Sequence, residues 1–304
     1  MPELPDIEAY LGALRPRVVD RVLSRTLIKG PFLLRTFEPP VDAVEGKRIG
    51  SVERLGKRIV LGMEDELFLV IHLMIAGRLL WKAAGAKPTG KIDLASFDFG
   101  DSGVLLLTEA SPKKRASLHV IRGRDALAAQ DRGGIDVLAC SPGEFGAVLA
   151  AENRTLKRRL TDPRAFSGIG NAYSDEILHA AKLSPVKLTS SMKPEEVARL
   201  QEATVRVMKT WIARLHAEFA GRFPGVGEIT AFRPEFAVHG KYGKPCPVCA
   251  SPVQRIVHAE NETNYCATCQ TGGKVLADRS LSRLLKDDWP RTIEEWESDV
   301  GNGQ

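Results

Sequence analysis

The sequence predicts an α+β protein of several domains: an N-terminal antiparallel β-sandwich, a helical domain and a C-terminal Cys₄ zinc finger. Short apolar or alternating runs fill the segment from Lys47 to about Leu107, helical periodicity follows after about residue 125, and two C-x-x-C pairs come later. With 304 residues, 43% of them hydrophobic and 27% charged, the chain has the composition of a globular protein with room for more than one core.

The first element is an amphipathic helix that begins within the sequence MPELPD. Leu4, Ile7 and Leu11 recur three and four residues apart, which is the spacing of one helix face. Pro5 suits the first turn, where a missing N–H costs little. Taken alone, the residues before this helix are an ordinary terminus, and termini tolerate change.

The second group of elements consists of strands. The runs KRIVLGM, LFLVIHLM, GRLLWK, SFDF and VLLLTE are short, and turn-like pieces such as EDE and GDSG lie between several of them. No segment of helix length separates these runs. The pattern therefore predicts an antiparallel sandwich or barrel rather than a parallel sheet.

The third group consists of helices, predicted over SPGEFGAVLAAENRTLKRRL and PEEVARLQEATVRVMKTWIARLHAEF. Between them, in SGIGNAYSDE, Gly168 and Gly170 permit close backbone approach and Asn171 is the predicted N-cap of a helix. Free N–H groups at such an end suit a phosphate, although an ordinary inter-helix turn is the alternative. The basic run NRTLKRRL, which contains Lys157, and a net charge of +5 favour a grip on a phosphate backbone.

The last element is a zinc site. The two C-x-x-C pairs are separated by 16 residues, which matches a Cys₄ zinc ribbon, and the four cysteines are Cys246, Cys249, Cys266 and Cys269. Four protein ligands saturate one ion, so we expect a structural Zn²⁺. Disulfides or free thiols are the alternative, which the lack of a secretory signal disfavours. No run of about 18 apolar residues predicts a membrane span.

These motifs together resemble one family. PELPD, GKRIVL with Lys57, IHLMIAGRL, GIGNAYSDE and the Cys₄ hairpin occur in the same order as in the formamidopyrimidine-DNA glycosylase/endonuclease VIII family, over about residues 2–270. The PELP start and the zinc hairpin resemble the formamidopyrimidine branch. The resemblance implies that the helical domain is a helix–two-turn–helix domain. It divides the chain into a catalytic domain, a helix–two-turn–helix domain, a zinc finger and a C-terminal extension, at residues 2–125, 135–237, 238–272 and 273–304.

The resemblance implies a base-excision repair DNA glycosylase with abasic-site lyase activity, which removes oxidised or ring-opened bases and cleaves the strand by β-elimination. Pro2, exposed by removal of Met1, would attack C1′ of the damaged nucleotide, Glu3 would move protons, and Lys57 would contact phosphate and assist elimination. The chemistry agrees. An α-amine has a pKa of about 7.7–8 against about 10.4 for lysine, so near neutral pH it is roughly 300-fold richer in the neutral nucleophile. A secondary amine also gives a cationic iminium, which is an electron sink.

The resemblance also assigns DNA contacts. Asn171 would hold backbone phosphate. From the glycine turn and the basic run we also expect Gly170 and Lys157 to contact DNA. The family usually has an arginine five residues before the third cysteine, where this chain has Asn261, which can hydrogen-bond phosphate but carries no charge. Tight lesion binding and δ-elimination are therefore less expected than in the family.

The residues that fill the gap left by an extruded nucleotide also differ. The formamidopyrimidine branch offers Met, Arg and Phe, whereas this chain aligns Ile75 and the run Lys113, Lys114 and Arg115. We expect Lys113 and Arg115 to contact DNA; the alternative is a solvated charged loop. The segment GRFPGVGEITAFRPEFAVHG is shorter than the loop that closes over 8-oxoguanine in the family.

The expected partner is double-stranded DNA with a damaged base or an abasic site. We expect a monomer with no membrane partner, in the cytoplasm and associated with the nucleoid. The alternatives are an abasic-site lyase, a non-catalytic paralogue that binds damaged DNA, and a zinc-stapled protein-interaction module. In the extension, Leu281, Leu285 and Trp289 either pack back on the body or form a partner surface.

Overall fold

The computed structural model of the chain describes residues 1–30, 32–258, 261–276 and 291–295. They form two compact units. The first unit consists of Met1–Gly134 and Lys209–Ala231, and the second of Ile135–Met208 and the described part of Phe232–Gln304. None of the described helices is long and apolar enough to cross a membrane.

The chain begins with helix α1, Leu4–Val18, as its periodicity predicts. Pro5 lies in the first turn, and the Glu3 backbone N–H donates to Asp6 Oδ2 at 2.9 Å in a capping-box arrangement. The predicted apolar face of α1 is buried. Two short strands follow, β1 at Val22–Leu23 and β2 at Arg25–Ile28.

Two antiparallel sheets make up most of the first unit, which confirms the predicted sandwich. Their remaining strands are β3 Lys47–Leu55, β4 Arg58–Met63, β5 Leu67–His72, β6 Gly77–Lys82, β7 Asp93–Asp98, β8 Val104–Glu109 and β9 Ser117–Arg122. One sheet has the order β1-β3-β4-β5-β9 and the other the order β2-β7-β8-β6. All pairings between neighbouring strands are antiparallel.

The core of the first unit is shared by both sheets and by α1. Leu61 and Leu69 of one sheet and Phe97 of the other belong to a single buried cluster that also includes Leu11. Side chains alternate between the two faces of a strand, so apolar residues on the opposite face of the larger sheet must be buried by another element. Helix α2, Arg124–Ala128, provides part of this cover through Leu127.

The helices of the second unit are α3 Pro142–Ala150, α4 Leu156–Leu160, α5 Asn171–Ala180 and α6 Pro194–Glu218, of which α6 continues into the first unit. The prediction of α6 is confirmed. The prediction of continuous helix through NRTLKRRL is wrong, because the chain leaves the helix after α3. There, the Thr189 hydroxyl donates to Glu152 O at 2.7 Å and Leu156 N–H donates to Lys187 O at 2.8 Å, in place of helical bonds.

The turn before α5 needs a glycine at one position. Gly168 has φ +86°, in the left-handed region that a side chain disfavours. Asn171 is the first helical residue and Gly170 is the N-cap, so the predicted capping role of Asn171 is wrong by one position. The Asn171 side-chain amide donates to Glu262 O at 3.0 Å instead.

The cysteines lie in a hairpin of β10, Val253–His258, and β11, Asn261–Cys266, followed by helix α7, Ala267–Thr271. The described end of the C-terminal extension packs on this hairpin, since Ile293 is buried in one cluster with Ile256 and Tyr265. The predicted apolar stripe of Leu281, Leu285 and Trp289 lies outside the described residues.

Candidate active site and nucleic-acid interface

The start of the chain lies among buried ionisable groups of the first unit. Pro2 is buried, and only 3% of Glu3 and 2% of Asp6 are exposed. In the chain that begins with Met1, burial lowers the pKa of the Met1 α-amine; the Glu3 carboxylate opposes this, while the positive charge of Arg78 lowers that pKa further. Acidic and basic side chains therefore lie together around the N-terminal amine.

Lys57 belongs to the same neighbourhood. It lies in the turn between β3 and β4 and is half-buried. Burial lowers the pKa of Lys57, and the Glu3 carboxylate partly offsets that effect. Lys57 in turn lowers the pKa of the N-terminal amine. The structure thus brings Lys57 into the neighbourhood of Pro2 and Glu3, the other two residues predicted to be catalytic, although Lys57 is far from them in the sequence.

Arg78, at the start of β6, was not singled out from the sequence. Its Nε donates to Ile229 O at 2.7 Å, and its Nη1 donates to Gly77 O at 2.7 Å and to Ile75 O at 3.2 Å. The guanidinium is therefore fixed close to the amine whose pKa it lowers. Arg78 belongs to the motif IHLMIAGRL, but the motif alone does not indicate that this arginine lies near the N-terminal amine.

A basic stripe on the larger sheet was also missed. Arg58 and His72 are opposite each other on β4 and β5, and His72 pairs with Ser117, two residues from His119 on β9. The three basic side chains therefore share a face. Burial, followed by the charges of Arg58 and Lys57, lowers the pKa of His72 to about 4, so His72 is neutral at pH 7. Cross-strand register, which the sequence alone does not supply, would have revealed the stripe.

The loop between β8 and β9 carries the predicted gap-filling residues. Lys113 and Arg115 are exposed. Glu109 is 1% exposed and accepts the backbone N–H groups of Arg115, at 2.9 Å, and Ala116, at 3.1 Å. Lys114 Nζ donates to Glu109 O, and Lys114 has φ +42°. A buried carboxylate thus fixes the loop backbone, which a merely solvated loop would not require.

The other predicted gap-filling residue, Ile75, lies in the turn between β5 and β6. It is 51% exposed, which is unusual for a large apolar side chain. The preceding residue, Met74, has φ +51°. Left-handed backbone at residues other than glycine is often found at functional sites. The contact of Ile75 with DNA stays a prediction.

Gly170 and Asn171 lie at the start of α5, where the sequence predicts phosphate binding. Lys157 contacts Asn171 from inside the protein. Lys157 is 9% exposed, and its Nζ donates to Asn171 O at 2.6 Å and pairs with Asp175 at 2.5 Å. Its burial favours a supporting role over the predicted direct contact with DNA. Arg159 is also buried, so Arg154 and Arg158 are the exposed basic residues of the run NRTLKRRL.

Asp175 and Glu176 fasten α5 to the segment that leads to the zinc hairpin. Asp175 Oδ2 contacts His239 Nδ1 at 2.7 Å and accepts the Asn264 N–H at 3.2 Å. Glu176 accepts three consecutive backbone N–H groups from residues 237–239, at 2.8, 2.9 and 2.9 Å. Burial raises the pKa of Glu176, and these hydrogen bonds oppose that shift. Asp175 and Glu176 of the motif therefore have a structural role.

The four predicted zinc ligands converge. The Sγ atoms of Cys246, Cys249, Cys266 and Cys269 all lie within 4.8 Å of one another, and two of the separations are 3.9 and 3.4 Å. Zn–S bonds of about 2.3 Å in a tetrahedron require S···S separations of about 3.8 Å. All four cysteines are free of disulfides. The arrangement fits one structural Zn²⁺ with every position filled by protein.

Asn261 begins β11 opposite His258, next to the turn of the hairpin, and is exposed. Its position at a strand end permits contact with a ligand. Since its side chain is uncharged, any phosphate contact there would rest on hydrogen bonds alone.

Three family models match the chain. The formamidopyrimidine-DNA glycosylase N-terminal domain matches residues 1–114, the H2TH domain of the same proteins matches residues 139–218, and the zinc finger found in FPG and IleRS matches residues 243–272. The matches follow the order predicted from the motifs. They also support the zinc assignment, because the third match covers all four cysteines.

Known proteins align over most of the chain. A formamidopyrimidine-DNA glycosylase of Desulforamulus reducens is 30% identical over 277 residues, which is 89% of this chain and 99% of the relative. A formamidopyrimidine-DNA glycosylase-like protein of Mycobacterium tuberculosis is 40% identical over 153 residues, which is 50% of this chain and 94% of that protein.

Solved structures agree. A mutant of Lactococcus lactis FPG in complex with Fapy-dG-containing DNA shares 25% identity with a TM-score of 0.79, over 89% of this chain and 100% of that one. Lactococcus lactis Fpg with abasic-site DNA, at 24% identity, has a TM-score of 0.78 over 88% and 99% of the two chains, which indicates a common fold. The chain belongs to the formamidopyrimidine-DNA glycosylase family.

Proposed function

We propose that this member of the family is a base-excision repair DNA glycosylase with abasic-site lyase activity, and that the amine of Pro2, exposed by removal of Met1, is its nucleophile. One observation carries the proposal. The start of the chain lies among Glu3, Asp6, Lys57 and Arg78, so a potential nucleophile has acidic and basic partners around it. The substrates are oxidised or ring-opened bases in double-stranded DNA, in line with the Fapy-dG and abasic-site DNA held by the Lactococcus proteins.

The chemistry follows from these groups. The neutral Pro2 amine attacks C1′ of the damaged nucleotide, and the glycosidic bond breaks as the base leaves. The attached amine then loses its proton, and the bond between C1′ and the ring oxygen O4′ breaks as O4′ gains a proton. Because the amine is secondary, the product is a cationic iminium, which acidifies the neighbouring C2′ position; loss of a C2′ proton then expels the 3′ phosphate by β-elimination. Glu3, within one residue of the nucleophile, takes and returns protons at the opened sugar.

The cations have separate roles in this account. Lys57 is half-buried beside Glu3 and contacts the phosphate that leaves on elimination. Asn171 and Gly170, at the N-terminal end of α5 where the helix dipole favours an anion, hold backbone phosphate. Lys113 and Arg115 fill the gap opposite the extruded nucleotide, and Asn261 contributes an uncharged contact. The zinc ion is structural and supplies no chemistry to the reaction.

The alternatives are less well supported. A non-catalytic paralogue that binds damaged DNA has no need of a buried carboxylate and a lysine beside the start of the chain. The replacement of the family's usual arginine by Asn261 affects phosphate contact, but it does not change the proposed nucleophile.

Several further expectations belong to the proposal. The protein acts as a monomer in the cytoplasm and associates with the nucleoid. The division into domains at residues 2–125, 135–237, 238–272 and 273–304 stays a prediction.

Borohydride trapping tests the proposal. The wild-type protein and Pro2→Gly are incubated with duplexes that carry an abasic site, a formamidopyrimidine, 8-oxoguanine or an oxidised pyrimidine. Pro142→Gly, at an exposed helix start, is the matched control. We expect covalent adducts with the wild type and the control, but none or far fewer with Pro2→Gly. Trapping on the abasic site alone would reduce the protein to a lyase, and binding without any trapping would favour the paralogue.

A further inference from the structure

One face of α5 is directed at the zinc hairpin and the segment that leads to it. Asn171, Asp175 and His179 are four residues apart, so they lie above one another on a helix. The Asn171 amide donates to Glu262 O at 3.0 Å, and Asp175 accepts the Asn264 N–H at 3.2 Å. The first two contacts hold β11. The third residue of the row, His179, reaches the metal site.

His179 Nε2 lies 3.3 Å from Cys246 Sγ. His179 is 6% exposed and Cys246 is 3% exposed, so water does not compete for this contact. A zinc-bound cysteine is a thiolate and can only accept a hydrogen bond. The ring must therefore donate from Nε2, which both the neutral Nε2–H tautomer and the cation can do.

The other buried thiol has a donor of a different kind. Cys266 Sγ accepts the backbone N–H of Cys269 at 3.5 Å, a contact formed within the zinc finger itself. Cys246 receives its contact from α5, outside the hairpin. Four thiolates around one Zn²⁺ leave a net negative charge, so N–H donors to sulfur stabilise the bound state. Groups that orient metal ligands in this way contribute strongly to metal affinity.

We propose that His179 is a positioning residue of the zinc site: its Nε2–H donates to the Cys246 thiolate and fixes the hairpin to the helix that begins with Asn171. The bond joins the first C-x-x-C pair to α5 near the C-terminal end of the helix. The contact of Asn171 with Glu262 joins β11 to its other end. Loss of His179 should therefore weaken both the binding of zinc and the attachment of the hairpin to α5.

The first test uses the wild-type protein loaded with cadmium-113 in place of zinc. We expect a scalar coupling between the metal and the His179 Hε2 proton, transmitted through the N–H···S–Cd bond, and slow exchange of this proton with water. A ring proton that exchanges quickly and shows no coupling would overturn the proposal. This measurement requires no variant and no catalysis, so it is independent of the proposed function.

The second test compares variants of the full chain. His179→Phe keeps a ring but removes the donor, His179→Gln restores an N–H donor, and His216→Phe makes the same change at an exposed histidine. We expect His179→Phe to release zinc to a chelator about tenfold faster, with partial rescue by His179→Gln and no effect of His216→Phe.

Cobalt substitution separates a hydrogen bond from simple packing. Without the donor the thiolate is more electron-rich, so the thiolate-to-Co²⁺ charge-transfer band should move to lower energy in His179→Phe and return towards the wild-type energy in His179→Gln. If His179→Phe had the same band energy and the same rate of zinc release as the wild type, the proposal would be contradicted.

Discussion

The N-terminal amine is the group whose chemistry depends most on single neighbours. Burial lowers its pKa, Glu3 and Asp6 raise it, and Arg78 and Lys57 lower it. A lowered amine pKa means that the neutral form accumulates at lower pH, so the rate of iminium formation rises with pH through that pKa and then levels off. These shifts are those of the Met1 amine; once Met1 is removed, we expect the same charges to act on the Pro2 amine and to set the working pH of the proposed nucleophile.

Arg78→Met should raise the midpoint of this pH dependence, because it removes a positive charge that lowers the amine pKa. In borohydride trapping on an abasic site we expect the midpoint to move to higher pH, with the plateau rate still reached at high pH. Arg78→Lys, which keeps the charge, should shift the midpoint less. The exposed Arg206→Met is the control. A midpoint that stays in place in Arg78→Met would refute the electrostatic role.

His72 should make stability depend on pH. Its pKa is lowered from 6.5 to about 4, mainly by burial. Between these two pH values the unfolded chain therefore binds a proton at His72, whereas the folded chain does not. Stability is therefore present above pH 6.5 and is lost as the pH falls towards 4. The loss from pH 7 to pH 5 should be about 2 kcal/mol. Urea unfolding of His72→Gln should show a smaller drop over this range, and an identical drop would contradict the assignment.

At the residue scale the sequence predicted catalytic roles for Pro2, Glu3 and Lys57 because their motifs are specific, and these roles stay a prediction. Sequence reasoning missed Arg78 and His72, since their importance comes from which groups the fold brings beside them. The role of Arg78 depends on carbonyl groups at Ile75 and Ile229, far apart in the chain. No local pattern encodes such a pairing.

At the scale of elements, α5 organises the second unit through a buried ion pair. Asp175 has no exposed side-chain surface and Lys157 only 11%, at a separation of 2.5 Å. Removal of one partner leaves the other charge buried without its counterion, which costs more than the pair itself contributes. The pair also fixes Asn171 through the bond from Lys157 Nζ to its carbonyl.

Asp175→Asn should therefore lower the free energy of unfolding by about 3–5 kcal/mol. The double variant Lys157→Met with Asp175→Asn should recover a large part of this loss, because neither charge then remains. Glu202→Gln, at an exposed pair of α6, should change stability by less than about 1 kcal/mol. Unfolding of the zinc-loaded proteins by urea measures all three. Equal losses in the single and double variants would show that the charges do not interact.

Periodicity predicted the first helix, the strands and α6, because each buries one regular face. It failed between α3 and α4, where hydrogen bonds with residues 187–189 replace helical ones. The charge run NRTLKRRL was also misleading. Lys157 and Arg159 are buried, and the carboxylate that pairs with Lys157 lies 18 residues further along.

At the scale of the whole molecule, the net charge of +5 matters through the residues that reach DNA. Each cation that neutralises a phosphate adds about 0.9 to the slope of log affinity against log salt concentration. Exposed Arg115 and buried Lys157 should therefore differ, although both were predicted from the sequence to bind DNA.

Arg115→Ala should reduce the salt slope by up to about 0.9 for a duplex with an uncleavable abasic-site analogue. The double variant of Lys157 and Asp175 should leave the slope unchanged, because it removes a charge that is already paired inside the protein. Affinities over a series of potassium chloride concentrations measure both. A slope that falls only in the double variant would reverse the assignment of these two residues.

The central claim is that the Pro2 amine forms the covalent bond to DNA. The most direct measurement is to trap the wild-type protein on an abasic-site duplex with borohydride, digest the complex and locate the attached sugar by mass spectrometry. The account predicts the sugar on the N-terminal peptide, at the nitrogen of Pro2, with Met1 absent. Attachment to Lys57 or another lysine, or to a chain that retains Met1, would contradict it.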